Sequence, residues 1–250
     1  MPDRIKRPAS IAWLAVGALL LAFAPARGEE GGLGIAGEGT PLRAGDRIVF
    51  VGDSITMQGG YVEMLAKALK EKQPKLDVKV TRYGLNGGRV PDVAVGKTPW
   101  GEAKPFARIL DEDKPTLLVI YLGINDVMHS PGTSKEDFAK GLKDLIASAQ
   151  AAKAVVVLAT PAVNGEKIES NAAQKKLDEY AAISRAVAKD TSATLCDLRA
   201  GFIDYLAKNN PEKKSKGILT YDGIHMSETG NKLIAQLMSQ SLVEAAKGRK

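Results

Sequence analysis

Four short strings in this chain carry the residue types that acyl transfer needs: Gly52-Asp53-Ser54-Ile55, Gly84-Leu85-Asn86-Gly87, Gly123-Ile124-Asn125-Asp126 and Asp222-Gly223-Ile224-His225. A serine hydroxyl is a poor nucleophile at neutral pH and needs a base within hydrogen-bond reach to take its proton as it attacks. His225, in the short polar segment from Tyr221 to Ser227, is the expected base for Ser54. Asp222 on the same turn accepts the proton of one imidazole nitrogen, which leaves the other facing the serine and stabilises the imidazolium when it forms. The charge that grows on the carbonyl oxygen needs fixed donors, each contributing about 2.7–4 kcal/mol where such donors have been removed. The candidates are the backbone N–H groups of Gly87 and Ser54 and the side-chain amide of Asn125. Taken singly, Gly84, Gly87 and Gly88 suit a positive-φ turn, and Asn125-Asp126 suits an Asx turn or a helix cap.

Position along the chain favours the chemical reading. From Asp46 onward, apolar runs at Ile48–Val51, Val78–Tyr83, Thr116–Leu122, Ala154–Thr160 and Ala193–Leu198 alternate with segments of helical period. Several runs are apolar at nearly every position, as expected for strands covered on both faces. Between them, Tyr61, Met64, Leu65, Ala68 and Leu69 recur at helical spacing. Phe138, Leu142, Leu145, Ile146 and Ala149 do so after a Ser134-x-x-Asp137 capping pattern. Residues 171–190 and Asn231–Ala246 are two further expected helices. Strand and helix repeated five times predict an α/β fold with a five-stranded parallel sheet and helices on both faces. In such folds ligands bind at the carboxyl ends of the strands. Ser54, Gly87 and Asn125 follow the first, second and third runs, so they are expected to converge on one edge of the sheet.

A chain of 250 residues with 44% hydrophobic content is expected to build one core. Arg4, Lys6 and Arg7 precede an apolar run from Ile11 to Ala24, and Ala24-Pro25-Ala26 offers small residues for cleavage. Residues 1–26 read as a secretory signal peptide, because the run is short of the ~20 residues that span a bilayer. The expected location is secreted or periplasmic, with no stable membrane span after cleavage. No cysteine lies near residue 26 and Arg4 and Arg7 are not adjacent, so neither a lipoprotein nor a twin-arginine signal is indicated. Residues 27–44 read as a flexible lead-in and residues 45–250 as the folded domain. Removing residues 1–26 takes away Asp3, Arg4, Lys6 and Arg7 and leaves 32 basic against 28 acidic side chains, a net charge of +4. Those charges are scattered, with no basic stripe interleaved with aromatics, so no nucleic-acid partner is expected. Cys196 is the only cysteine and lies in an apolar run, where an inert buried thiol is expected. No His-x-x-x-His or cysteine pair has zinc-binding spacing, so no metal is expected.

The four blocks together resemble those of the GDSL/SGNH hydrolase family: Gly-Asp-Ser-Ile-Thr, Gly84-x-x-Gly87, Gly-x-Asn-Asp and Asp-x-x-His, spanning residues 47 to about 240. The resemblance implies a flavodoxin-like three-layer α/β/α sandwich with strand order 2-1-3-4-5. It also implies Ser54 as nucleophile, His225 as base, Asp222 as its partner and Gly87 and Asn125 as oxyanion donors, with no metal or organic cofactor. One departure is Arg82, two residues before Gly84, where the family often has Asn; this bears on loop geometry. Asp53, His129 and Trp100 are candidate substrate contacts. The loops from Val90 to Phe106 and from Pro161 to Asn171 are expected to face the substrate, a small-molecule or polysaccharide ester. With no long apolar insertion and 5% aromatic residues, the expected reaction is hydrolysis of short acyl esters, acetyl in particular, on a carbohydrate. The alternatives are a lysophospholipase or thioesterase with the same triad, and a non-catalytic glycan-binding module on the same fold.

Overall fold

The computed structural model describes residues 32–170 and 172–249. In chain order they form β1 (Arg47–Gly52), α1 (Ser54–Gln58), α2 (Gly60–Lys72), β2 (Lys79–Gly84), α3 (Val90–Val95), the short strands β3 (Lys97–Thr98) and β4 (Gly101–Glu102), and α4 (Phe106–Asp113). There follow β5 (Leu117–Tyr121), α5 (Ile124–Met128), α6 (Lys135–Ala151), β6 (Val155–Ala159), α7 (Ala172–Thr191), β7 (Thr194–Cys196), α8 (Leu198–Asn209) and α9 (Glu228–Lys247). The main sheet runs β2-β1-β5-β6-β7 with every pair parallel, the expected 2-1-3-4-5 order.

The strands alternate between two cores because successive side chains point to opposite faces. Ile48, Phe50, Leu117, Val119 and Val157 pack with Tyr61 and Leu65 of α2, Phe202 of α8 and Met238 and Leu242 of α9. Val49, Val51, Leu118, Ile120 and Leu158 pack with Val93 of α3, Ile109 of α4, Phe138 and Leu142 of α6 and Val187 of α7. Burial on both faces explains the nearly unbroken apolar runs. The register sets the site: Gly52 is level with Gly84 on one side and Tyr121 on the other, so the chain leaves three adjacent strands at one height.

Boundaries shift where a polar cap intervenes. β7 ends at Cys196 because Asp197 caps α8, accepting from the Ala200 N–H, which puts Leu198 in a helix. α9 begins at Glu228 because the Ser227 side chain accepts from the Gly230 N–H. The Ser134 side chain caps α6 by accepting from the Asp137 N–H at 3.0 Å. The lead-in departs from expectation. Gly34–Ala36 form a 3₁₀ turn, Ile35 is fully buried in the α2/α9 core, and its N–H donates to Ser239 Oγ at 2.8 Å. Two apolar residues, Ile35 and Leu42, fasten a segment whose Gly-rich composition reads as flexible. Cys196 is buried, and that burial pushes its thiol up to about 12, so it stays protonated at neutral pH. Among the described residues no helix is long and apolar enough to cross a membrane. The expected signal peptide lies outside them.

Candidate active site

β1 passes straight into α1. Asp53 caps the helix by accepting from the Ile55 N–H at 2.9 Å, which puts Ser54 at the first helical position, half-buried at the carboxyl edge of the sheet. Gly52 is needed just before it: a Cβ there would overlap Thr56 Oγ1 and lie 2.7 Å from the Tyr121 carbonyl oxygen. After β2, the Leu85 N–H donates to the Gly52 carbonyl at 3.0 Å, and a tight turn closes with the Gly88 N–H on the Leu85 carbonyl at 2.9 Å. Gly87 sits in that turn at φ +63°, and a Cβ there would overlap the Trp100 ring. After β5, Asn125 Nδ2 donates to the Gly88 carbonyl at 3.2 Å, and the Asp126 carboxyl accepts from the Val90 N–H at 3.1 Å. Asn125 and Asp126 therefore both hold the chain where it leaves the glycine turn. The second Nδ2 hydrogen of Asn125 meets no acceptor among the described residues.

Asp222 and His225 arrive from the loop between α8 and α9. Asp222 Oδ1 accepts from the Ile224 N–H at 2.9 Å and the His225 N–H at 2.7 Å, which folds the loop around its own carboxylate. Asp222 Oδ2 lies 2.6 Å from His225 Nδ1, and His225 Nε2 lies 3.0 Å from Ser54 Oγ. An acceptor-only carboxylate places the ring proton on Nδ1, so Nε2 accepts from the Ser54 hydroxyl. Partial burial pulls the Asp222 carboxyl upward, but the hydrogen bonds from the His225 ring and from the His225 and Ile224 N–H groups hold it below its ordinary range. Such a chain is suited to deprotonate Ser54 as it attacks an electrophilic carbon.

Asp53 does not fit a substrate contact. It is 1% exposed, and its Oδ2 has no hydrogen-bond partner among the described residues. Burial, reinforced by the nearby Asp126 carboxyl, pushes it up to about 7. Burial likewise pushes Asp126 up to about 6. A carboxyl raised from 3.8 binds its proton more tightly in the folded than in the unfolded chain, so its contribution to stability falls as pH rises from about 4 to about 7. Asp53→Asn keeps a capping oxygen and removes the ionisation. The thermal midpoint of the wild type is expected to drop more between pH 5 and pH 8 than that of the variant, and equal drops would refute the argument.

His129 and Trp100 stand next to the glycine turn. Their rings are 5.0 Å apart edge to face, and Trp100 is 60% exposed at the turn between β3 and β4. Burial, followed by the Arg89 charge, lowers the pKa of His129 and favours its neutral form. The segment from Val90 to Phe106, expected as a loop, thus contains a helix and a two-stranded ribbon that presents Trp100. Tyr221 escaped notice in the sequence: it is 54% exposed, its ring stacks on His225 at 5.9 Å, and Gln58 Nε2 donates to its hydroxyl at 3.0 Å. Its position next to Asp222 was the available signal. Arg82 turns away to pair with Glu63 at 2.9 Å, beside Gly59 and outside the glycine turn. No cluster of three or more His, Cys, Asp or Glu among the described residues is arranged to hold a metal ion.

A parallel α/β sandwich with a hydroxyl–imidazole–carboxylate chain at its strand ends defines a hydrolase-type architecture. The profile of the GDSL-like lipase/acylhydrolase family matches residues 50–233, and the chain belongs to that family, which makes it a carboxylic ester hydrolase. An acetylxylan esterase of Geobacillus stearothermophilus is 24% identical over 219 residues, covering 78% of this chain and 93% of its own. Among solved structures, the acetyl xylan esterase AlAXEase is 32% identical with a TM-score of 0.69, covering 78% of this chain and 99% of its own. LAE5, an alpha/beta hydrolase from the metagenome of Lake Arreo, Spain, shares the fold at 24% identity and a TM-score of 0.65, covering 84% of this chain and 98% of its own.

Proposed function

We propose that this protein is an exported serine esterase that removes short acyl groups, acetyl in particular, from a carbohydrate through an acyl-enzyme. The observation that carries this reading is the continuous hydrogen-bond chain from Asp222 through His225 to Ser54, beside Gly87 and Asn125. Ser54 Oγ attacks the ester carbonyl carbon as its proton passes to His225 Nε2. The oxyanion is met by the Ser54 and Gly87 N–H groups and the Asn125 amide. Collapse leaves the acyl group on Ser54 while His225 returns the proton to the departing alcohol; water then repeats the sequence and releases the acid. The export part of the reading rests on the pattern of residues 1–26.

Two observations favour a carbohydrate as the alcohol. The esterase relatives at 24% and 32% identity carry acetylxylan in their names. Exposed aromatic rings flank the candidate site, Trp100 on the glycine-turn side and Tyr221 on the histidine side, and such rings offer flat apolar faces to sugar rings. Trp100→Ala is expected to raise KM for an acetylated xylo-oligosaccharide about tenfold, a loss of ~1.4 kcal/mol. The rise should exceed that with methyl acetate, which has no ring to stack; equal changes on both would remove Trp100 as a sugar platform.

The direct test is hydrolysis of p-nitrophenyl acetate against p-nitrophenyl octanoate. A large acetate preference supports the proposal, and an octanoate preference moves the substrate to lipids or thioesters. Binding of glycan with no turnover of either ester would favour the binding-module alternative.

A further inference from the structure

The loop that carries Asp222 and His225 is gripped from below by one carboxylate. Glu166, in the connection between β6 and α7, is 2% exposed. Its Oε1 accepts from the N–H groups of Leu219 at 2.7 Å and Thr220 at 2.5 Å and from the Thr220 hydroxyl at 2.8 Å, and its Oε2 accepts from the Ile218 N–H at 3.0 Å. These three consecutive residues lead into Tyr221 and Asp222. The loop closes on itself just beyond them: Thr220 bridges Met226, and the Tyr221 N–H donates to the His225 carbonyl at 3.0 Å. Next to the carboxylate, the Gly165 N–H donates to the Gly223 carbonyl at 2.6 Å and the Glu166 N–H to the Ser215 carbonyl at 2.7 Å.

Glu166 is itself anchored. Gln174 Nε2 donates to the Asn164 and Gly165 carbonyls, and the fully buried Arg199 holds Gln174 Oε1 and the Ala162 carbonyl. Burying a carboxylate is costly unless its oxygens are satisfied, and removing it would strand the buried N–H groups of Leu219 and Thr220 and the partly buried one of Ile218. Neither a Lys nor an Arg pairs with it among the described residues; every donor comes from the segment that ends in the Asp222 loop.

We propose that Glu166 is a positioning residue for the reaction: by gathering the Ile218–Thr220 backbone it holds the Asp222–His225 loop at the height where Nε2 meets Ser54. This rests on the serine-esterase reading above. A displacement of about 1 Å at such a junction costs up to ~100-fold in rate. Gln keeps one acceptor oxygen but turns an NH₂ toward backbone N–H groups. Glu166→Gln is therefore expected to lower kcat on p-nitrophenyl acetate about 10- to 100-fold with KM within about twofold. Thr220→Val, which removes only the hydroxyl donor, is expected to lower kcat about threefold and serves as the deciding variant if Glu166→Gln does not fold. Both are assayed well below their thermal midpoints. The low-field proton resonance of His225 Nδ1–H, absent in Asp222→Asn, provides the second readout: it should shift or broaden in Glu166→Gln.

Wild-type kcat together with an unmoved resonance in the folded Glu166→Gln protein overturns the proposal, as does wild-type kcat in Thr220→Val if that variant alone folds. A lower midpoint with unchanged kcat would make Glu166 purely structural and also overturns it. Full activity in Ser54→Ala would instead defeat the underlying reading, so the two failures are distinguishable.

Discussion

Ser54→Ala is expected to reduce kcat on p-nitrophenyl acetate by at least ~10⁴-fold, because no other group then forms the covalent intermediate. What remains should be the contribution of the oxyanion donors and of binding, measurable against the uncatalysed reaction. The side chain makes one hydrogen bond, to His225 Nε2, and its carbon stays at the first position of α1, where alanine is a good helix former. The thermal midpoint should therefore move little, which separates lost chemistry from lost folding. Purified variant and wild type are compared by steady-state kinetics, with thermal unfolding alongside. A reduction below tenfold would mean that Ser54 is not the nucleophile and that another group, or no acyl-enzyme, carries the hydrolysis.

Asp222→Asn is expected to lower kcat by about 10⁴-fold with the loop preserved. Asn Oδ1 can still accept from the Ile224 and His225 N–H groups, so the turn keeps its shape. The other atom becomes an NH₂ donor facing His225 Nδ1 across what is now a 2.6 Å contact. The imidazole must then accept at Nδ1 and carry its proton on Nε2, aimed at the Ser54 hydroxyl, where it cannot take another. In the wild type the Asp222 carboxyl, held below its ordinary range, stays ionised through neutral pH. An Asp222→Asn enzyme with near-wild-type kcat would show that His225 is oriented by something else.

The strands and most of their flanking helices were legible in the sequence because a strand covered on both faces must be apolar almost throughout, and an amphipathic helix must repeat its apolar face. The Ser134 cap of α6 and the strand order implied by the four blocks appear in the fold. Local chemistry was legible for the same reason: Asp222 and His225 sit three apart because one carboxylate can then accept the His225 N–H and face its ring. Residues whose partners lie far along the chain escaped. Ile35 reads as part of a Gly-rich tail until α9 supplies Ser239 and a core to enter. Asp53 reads as a polar group beside the nucleophile, yet the sheet closes over it. Glu166 is an unremarkable acid in sequence, and its donors lie more than 50 residues away. The sequence by itself determined the five strands of the main sheet, the helices α2, α6, α7 and α9, and which side chains supply a hydroxyl, an imidazole and a carboxylate, since those depend on residue type and short-range period. Only the tertiary structure decided their distances, the burial of Asp53 and the grip of Glu166, because register and packing bring together groups that no local pattern relates.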